Sequence, residues 1–204
     1  MDSSRDAIRP RTRSVISFLA GSAGVDGAAG VEVDGADGSA VVDDMIKKET
    51  KMLLFRYSNY RKFNFINEHA RIIQKFGYVW MMKLGKKTSI EKIKSIIKNG
   101  GYIVFKAPVA DGSVFYIGRF IDFSEELPDD EIHMPKYYTE IVEDINFRDT
   151  PTQFFKIVSL KLLDEKYASI LCLEKNKKKV IDVITETRTA VMFIENEKEI
   201  NITL

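Results

Sequence analysis

The sequence contains very few of the residues that build disulfides and metal sites. In 204 residues it has one cysteine, Cys172, and two histidines, His69 and His133. A single cysteine excludes an internal disulfide, and the reducing cytoplasm is the expected location. A zinc site made only of cysteine and histidine would have at most three ligands here, and these three residues are far apart in sequence. We therefore expect no cofactor.

Long apolar runs and a charge of one sign are also missing. No apolar run approaches the ~18 residues that a membrane-spanning helix needs, so no membrane partner is expected. The chain carries 31 basic and 30 acidic residues, so its overall charge names no polyanionic partner. Its content of 45% hydrophobic and 30% charged residues is typical of globular proteins. Its length fits one domain, or one domain with a tail.

The first 44 residues differ in composition from the rest of the chain. They contain no lysine and no asparagine, but six of the twelve glycines and eight acidic residues against four arginines. Such a stretch buries little apolar area, so residues 1–44 are predicted to be a disordered or non-native N-terminal tail. The segment "RPRTRSVISFLAGSAG" only partly resembles a signal peptide, because its apolar stretch is short and acidic residues precede it. The domain is predicted to span residues 45–204, where 27 basic residues face 22 acidic ones.

From residue 45 onward, strand and helix patterns alternate. Apolar spacing predicts a helix over residues 65–76 that Gly77 ends, and a second helix that begins with a capping box of Thr88 and Glu91 and ends at Gly100. Residues 166–175 fit a helix or a strand, and one helical turn is expected around residues 136–144. The predicted class is α+β, with a small mixed β-barrel of five to six strands and two to three flanking helices. The predicted strands are 51–57, 78–84, 102–108, 113–123, 154–163 and 189–195.

Most motifs of catalysis are absent. The segment "WMMKLGKKTS" fails the phosphate-loop pattern, because Trp80 stands where glycine is needed and Lys87 where serine or threonine is needed. His69 lies on the apolar stripe of the first helix, which favours a structural role, and His133 is expected in a surface loop. The acidic residues within 125–131 match no calcium-loop spacing, so a solvated loop is expected. Cys172 is expected in the core.

Aromatic and basic residues give the sequence the character of a binding protein. Strand alternation places Tyr78, Trp80 and Met82 on one face, as a stacking platform for a planar ligand or as ordinary core. The segment "RYSNYRK" (56–62) follows a strand directly and offers hydrogen-bonding groups for a base edge. Five lysines are candidates for contacts to a nucleic-acid backbone, with an ordinary solvated surface as the alternative: Lys83, Lys86, Lys87, Lys92 and Lys106.

Four segments, in order, resemble a known family. The pair "GGYIVFKAP" and "FYIGRFIDF" looks like the paired strands of the EVE domain, a PUA-like domain related to YTH and ASCH domains. "PTQFFKIVSLKLL" and "TRTAVMFIENEKEI" resemble the next strand and the closing strand of that domain. "RYSNY" and "YVWMMKLGKK" are similar to segments near its ligand pocket. The usual Lys-x-Glu-Pro run after the first strand is replaced here by "FRYSNYRK" and a helix. The resemblance covers roughly residues 51–200.

This resemblance implies a non-catalytic module that reads a methylated or hydroxymethylated base flipped into an aromatic pocket. Such modules serve restriction or defence systems, so modified DNA is the implied partner, with a nuclease subunit or a fused effector beside it. Trp80 would be a cage wall, Ser58 and Asn59 would bond the base edge, and Tyr57 or Tyr60 would close the cage. The remaining implied pocket residues are Arg119 at the mouth, and Tyr137 and Tyr138 as an alternative aromatic wall.

Two other functions stay open on the sequence alone. The first is a PUA-type RNA-binding module in RNA modification or translation. The second is a small nucleoside-amide hydrolase of the ASCH type, which needs a lysine and an acid that converge in the pocket. Lys83, Lys106 and Glu91 are the candidates for that pair.

Overall fold

The structure is a computed structural model that describes residues 43–143, 150–185 and 189–204. These residues lie in one compact unit. The predicted tail falls outside the described residues, except for Asp43 and Asp44, which begin the first strand. This strand therefore includes two residues that the sequence assigned to the tail.

Nine strands and five α-helices are present in the described ranges. The strands are β1 (Asp43–Ile46), β2 (Lys51–Arg56), β3 (Val79–Leu84), β4 (Tyr102–Lys106), β5 (Phe115–Ser124), β6 (Pro151–Leu163), β7 (Leu171–Leu173), β8 (Val191–Asn196) and β9 (Ile200–Thr203). The helices are α1 (Phe65–Phe76), α2 (Ile90–Lys98), α3 (Tyr137–Glu143), α4 (Glu165–Ala168) and α5 (Val180–Val183). No helix in the described part of the chain is long and apolar enough to cross a membrane.

The α+β class is confirmed, but the strands form an open sheet. Seven strands are ordered β3-β6-β5-β4-β2-β8-β7, and β1 pairs with β9 in a separate two-stranded sheet. The strands β3 and β7 are edges, and no pairing between them closes the sheet within the described ranges. The predicted number of five to six strands was too low. The strands β1 and β9 are only four residues long and each contains two polar residues, and β7 lies in the segment that also fitted a helix.

The strands β2 and β4 are parallel, whereas the other pairings in the seven-stranded sheet are antiparallel. Parallel neighbours need a long crossover connection, which α1, β3 and α2 supply here. The carboxyl ends of β2 and β4 therefore lie side by side, with Arg56 opposite Lys106. The chain leaves both strands at this edge.

Both faces of the central strands are buried. Leu53, Phe55 and Phe105 join a core cluster that includes residues of α1 and α2. Leu54 and Val104, which are adjacent in sequence to these residues and point to the opposite face, join a second cluster with residues of β1 and β9. Burial on both faces explains why β2 and β4 are nearly continuous apolar runs.

The ends of α1 follow the sequence pattern, but the start of α2 does not. Gly77 caps α1 in the left-handed conformation, at φ 85°, as predicted. The N-cap of α2 is Ser89, whose Oγ accepts a hydrogen bond from the Lys92 N–H, so the predicted capping box at Thr88 is wrong. The backbone of Thr88 is held instead by the buried amide of Gln153, which accepts from the Thr88 N–H (2.8 Å) and donates to the Thr88 carbonyl (2.9 Å).

A glycine sets the contact between β5 and β6. A Cβ atom on Gly118 would lie 2.1 Å from the carbonyl oxygen of Ser159 on the neighbouring strand. The Ser159 hydroxyl also accepts a hydrogen bond from the Arg119 N–H at 3.0 Å. Any side chain at position 118 would push these two strands apart.

We expect Gly118→Ala to lower the free energy of unfolding by about 3 kcal/mol, because the new methyl group overlaps backbone that cannot move aside cheaply. Gly77→Asn is the control, since it keeps a residue that tolerates the left-handed conformation and has open space around Cβ. It should cost less than about 1 kcal/mol. Urea denaturation measures both values, and an equal cost for the two variants would contradict the close approach at Gly118.

Candidate functional site

A cavity of about 350 Å³ opens at the edge where β2 ends. This is near the lower end of the roughly 300–1,000 Å³ range of small-molecule sites. We call it the aromatic pocket. Its lining consists of Phe55, Arg56, Tyr57, Ser58, Asn59, Tyr60, Phe65, Met81, Met82, Lys83, Leu84, Tyr137, Tyr138, Ile141, Ala190 and Val191. No aspartate or glutamate lines it, so the described lining offers no anionic group to a ligand.

The aromatic side chains of the pocket are held in place by one another. Tyr57 stacks on Phe65, with ring centroids 4.7 Å apart and an interplanar angle of 19°. Tyr137 stacks with Tyr60 at 6.0 Å and with Phe63 at 5.2 Å, both within 20° of parallel. These stacked contacts favour fixed ring orientations, which lowers the entropy cost of binding a flat ligand.

Tyr138 links the pocket wall to α1 and β3 through its hydroxyl group. This oxygen accepts a hydrogen bond from the Met82 N–H (3.1 Å) and lies 2.7 Å from Nε2 of His69. The other ring nitrogen of His69, Nδ1, lies 2.6 Å from the carbonyl oxygen of Phe65 and must donate to it. A neutral His69 therefore accepts from the Tyr138 hydroxyl at Nε2, and every polar group in this chain of bonds has a partner. The predicted structural role of His69 is confirmed.

The segment that follows β2 contributes two different kinds of polar group. Asn59 is already engaged, since its Nδ2 donates to Asp111 (2.7 Å) and its Oδ1 accepts from the Phe65 N–H (3.0 Å). Ser58 is exposed, and its hydroxyl makes no hydrogen bond among the described residues. Of the two residues expected to bond a base edge, Ser58 offers the unoccupied group, whereas Asn59 shapes the segment.

Six of the eight predicted pocket residues line this one cavity. They are Tyr57, Ser58, Asn59, Tyr60, Tyr137 and Tyr138. The sequence did not single out Phe65, Met81 or Ile141 as lining residues, because their apolar spacing marks them only as members of a helix or a strand. The position of "RYSNYRK" directly after a strand was the signal that located the pocket.

Trp80 lies outside the lining of the aromatic pocket. It shares a buried cluster with Tyr78 and Met82, which confirms that these three residues lie on the same face of β3. Its indole Nε1 donates to Oδ2 of Asp130 at 3.1 Å, and the Tyr78 hydroxyl donates to the same oxygen at 2.7 Å. The indole is 8% exposed, so the structure places Trp80 in the core and does not bring it to the cage position that the resemblance implied.

Asp130 is a structural anchor rather than part of a freely solvated acidic loop. Besides Tyr78 and Trp80, it contacts Nδ1 of His133 at 2.5 Å, and the His133 ring stacks on Tyr78 at 3.7 Å. Burial pushes the pKa of the Asp130 carboxyl upward, but these hydrogen bonds outweigh it and hold the pKa below its usual value. His133 is likewise half-buried rather than simply at the surface of a loop.

Arg119 also lies away from the pocket. It is paired with Tyr102 at the start of β4, whereas the pocket opens near the ends of β2 and β4. Its Nε donates to the carbonyl oxygen of Gly100 at 3.1 Å. Arg119 therefore helps to hold the glycine turn before β4.

The five predicted backbone-contacting lysines do not form one surface. Lys83 and Lys106 are buried, with 6% and 7% of their surface exposed. Lys87 pairs with Glu125, and Lys92 pairs with Glu174, both at N–O distances below 3 Å. Lys86 is exposed. The lysine that stands out is Lys106, which lines a second cavity next to the aromatic pocket.

The residue pair that an ASCH-type hydrolase would need is not assembled at either cavity. Lys83 lines the aromatic pocket and Lys106 the second cavity, but no carboxylate is among the described lining residues of either cavity. Glu91 accepts a hydrogen bond from Ser89 at the start of α2. Within the described ranges, no group of three or more His, Cys, Asp or Glu residues could hold a metal ion.

We expect Trp80→Ala to lower the free energy of unfolding by about 3–5 kcal/mol, because it empties a core position and removes a hydrogen bond to Asp130. Trp80→Phe is the control, since it fills most of the space and should cost clearly less. Urea denaturation followed by circular dichroism measures both. A Trp80→Ala variant as stable as the parent protein would contradict a core role.

The stability of the fold should depend on pH through His69. Burial lowers the pKa of His69 from 6.5 to about 4. The unfolded chain then binds one more proton than the folded protein between these values, so stability is complete above about pH 6.5 and falls as the pH approaches 4. The loss should be on the order of 3 kcal/mol.

This pH effect can be assigned with two variants. In His69→Gln, the free energy of unfolding should fall less between pH 6.5 and pH 4 than it does in the parent protein, because the contribution of His69 is removed. In the control His133→Gln, it should persist. An unchanged pH profile in His69→Gln would contradict a neutral, buried His69.

Comparison with known proteins adds no relative to this description. No protein-family model, no curated protein and no solved structure matches the chain. The similarity to EVE and PUA-like domains therefore remains a prediction from the sequence, and the geometry of the site carries the functional argument.

Proposed function

We propose that this protein is a non-catalytic reader that holds a modified nucleobase, flipped out of DNA, in the aromatic pocket. The observation that carries the proposal is the pocket itself, a 350 Å³ cavity lined by four tyrosines and Phe65, with no carboxylate among its described lining residues. Flat aromatic walls favour a flat ligand, and the lack of an acidic group favours an uncharged or electron-rich one. The Ser58 hydroxyl can accept a hydrogen bond from the edge of that ligand.

The energies of such a pocket are of the right size for a reader. Flipping a base out of a duplex costs a few kcal/mol. Stacking on an aromatic side chain returns about 1–3 kcal/mol per base. A methyl group buried against Met81, Met82 or Ile141 adds roughly 1 kcal/mol. Discrimination between a modified and an unmodified base would therefore come from several small terms, of which stacking is the largest.

The proposal includes a relationship to the PUA-like and EVE domains. In its support, the four segments that resemble the family fall on β4–β5, β6 and β8 in the expected order. The pairing of β5 with β6 shifts register on both sides of Phe120, and bulges of this kind bend the strand and increase its twist. A barrel-like curvature is therefore part of the proposal.

The same proposal assigns DNA cleavage, where it occurs, to a partner nuclease subunit or a fused effector. Its support is that the described lining of the aromatic pocket contains a lysine but no acid. An RNA-binding role would use the same stacking chemistry, so it is treated below as an outcome of the binding test.

Binding of the full chain to matched short DNA duplexes tests the proposal. The duplexes would be unmodified or carry 5-methylcytosine, 5-hydroxymethylcytosine or N6-methyladenine, and each would be measured at two salt concentrations. We expect one modification to be preferred at least tenfold. Because base contacts rather than phosphates set this preference, the ratio should persist at the higher salt concentration, while all affinities fall.

A pair of tyrosine variants links the preference to the pocket. Tyr57→Leu removes a stacked ring from the pocket and should reduce the preference at least fivefold, since stacking is worth about 1–3 kcal/mol. Tyr102→Leu changes an equally buried tyrosine near the other end of the sheet and should leave the preference intact. Equal, weak and strongly salt-dependent binding to every duplex would overturn the reader. Tighter binding to structured RNA than to any of the duplexes would establish the RNA-binding alternative.

A further inference from the structure

The second cavity lies against the aromatic pocket, and Tyr57 is the one aromatic residue in its described lining. It has a volume of about 630 Å³, and it shares Arg56, Tyr57, Ser58 and Ala190 with the aromatic pocket. Lys106 and Ser113 line the second cavity but not the aromatic pocket. We call it the cationic cavity, because the charged residues of its described lining, Arg56 and Lys106, are both basic.

The two basic residues are brought together by the parallel pairing of β2 and β4. Arg56 and Lys106 are register partners, so they occupy neighbouring positions at the carboxyl ends of these strands. Ligands of sheets with parallel strands characteristically bind at this edge. Burial lowers the pKa of Lys106, and repulsion from the nearby positive charge of Arg56 lowers this pKa further.

Lys106 carries a buried positive charge that hydrogen bonds to carbonyl groups in the described residues satisfy only in part. Only 7% of its surface is exposed. Its Nζ donates to the carbonyl oxygens of Ala107 (3.2 Å) and Ser113 (2.5 Å) and lies 4.9 Å from the centre of the Phe115 ring. No carboxylate pairs with it in the described ranges. Two carbonyl bonds leave one of three ammonium protons unused, and burying an ammonium group without an anion is costly.

The remaining polar groups of the cationic cavity suit the same kind of ligand. The hydroxyls of Ser58 and Ser113 make no hydrogen bond among the described residues, and each can donate to an anionic oxygen. A group with several acceptor oxygens and a negative charge would satisfy both hydroxyls and the third proton of Lys106. Phosphate has this chemistry, and hydrogen bonds from charged donors to phosphate are among the strong ones.

We propose that the cationic cavity is a phosphate subsite, centred on Lys106, for the nucleotide whose base occupies the aromatic pocket. This inference rests on the proposed function for the identity of the base, but the anion site stands on its own residues. Because Tyr57 and Ser58 line both cavities, a base on one side of this segment and its phosphate on the other belong to one nucleotide. The unit that is recognised is then a modified nucleotide and not a base alone.

The first arm of the test concerns the anion alone. Inorganic phosphate is titrated into the full chain at constant ionic strength, with chloride as the reference, and the amide resonances of residues 107 and 109–113 are followed by NMR. We expect saturable shifts with phosphate and none with chloride. Lys106→Met should weaken phosphate binding at least tenfold, whereas Lys98→Met, which removes an exposed lysine of α2, should not change it.

The second arm joins the anion to the base. The 2′-deoxynucleoside of the preferred modified base and its 5′- and 3′-monophosphates are compared by calorimetry. We expect one monophosphate to bind at least tenfold more tightly than the nucleoside in the parent protein. In Lys106→Met the two should bind equally, with the affinity for the nucleoside unchanged.

The outcomes separate this inference from the proposed function. Absence of phosphate binding in the first arm, together with equal affinities in the second, overturns the phosphate subsite and leaves the reader standing. Phosphate binding without any preference among bases overturns the reader and leaves the subsite. If Lys106→Met does not fold, the difference between nucleoside and monophosphate in the parent protein decides the question. A monophosphate advantage that survives in a folded Lys106→Met variant also overturns the role of Lys106.

Discussion

The parallel pairing of β2 with β4 is the constraint on which the site depends. It requires a crossover, which contains α1, the edge strand β3 and α2, and the two helices pack in the same core cluster. It also places two strand ends side by side, so that the segment after β2 separates the aromatic pocket from the cationic cavity. If the two strands were antiparallel, Arg56 and Lys106 would lie at opposite ends of the pair. The charge and the aromatic walls would then belong to different sites.

The rigidity of the pocket comes from bonds that lie behind its surface. Asn59 ties the segment after β2 to Asp111 and to the first residue of α1, while Tyr138 ties α3 to β3 and His69. Neither residue needs to touch a ligand for this role. Their hydrogen bonds fix where the neighbouring rings and the Ser58 hydroxyl stand. A site arranged in this way loses little conformational entropy when it is filled.

Sequence patterns predicted the local structure better than they predicted the site. The apolar spacing of residues 65–76 and the left-handed stop at Gly77 are local signals, and α1 has those bounds. The open sheet and the partner strands of β4 depend on contacts distant in sequence, which a local pattern does not contain. Trp80 was assigned to the pocket from strand alternation and from the family resemblance, yet its Nε1 donates to Asp130. The burial of Lys106 could not be predicted either, because it depends on carbonyl groups that the fold places around the side chain.

The placement of Trp80 has a consequence for spectroscopy. It is the only tryptophan in the chain, so it supplies the indole emission of the protein. Its ring lies in the core beside Tyr78 and is hydrogen-bonded to Asp130, in the segment between β5 and α3. Its fluorescence will therefore respond to whether that segment is attached to β3, and not directly to whether a ligand fills the pocket. An emission spectrum that stays unchanged during a ligand titration would mean that the structure around Asp130 is unchanged. It would not report whether the aromatic pocket is filled.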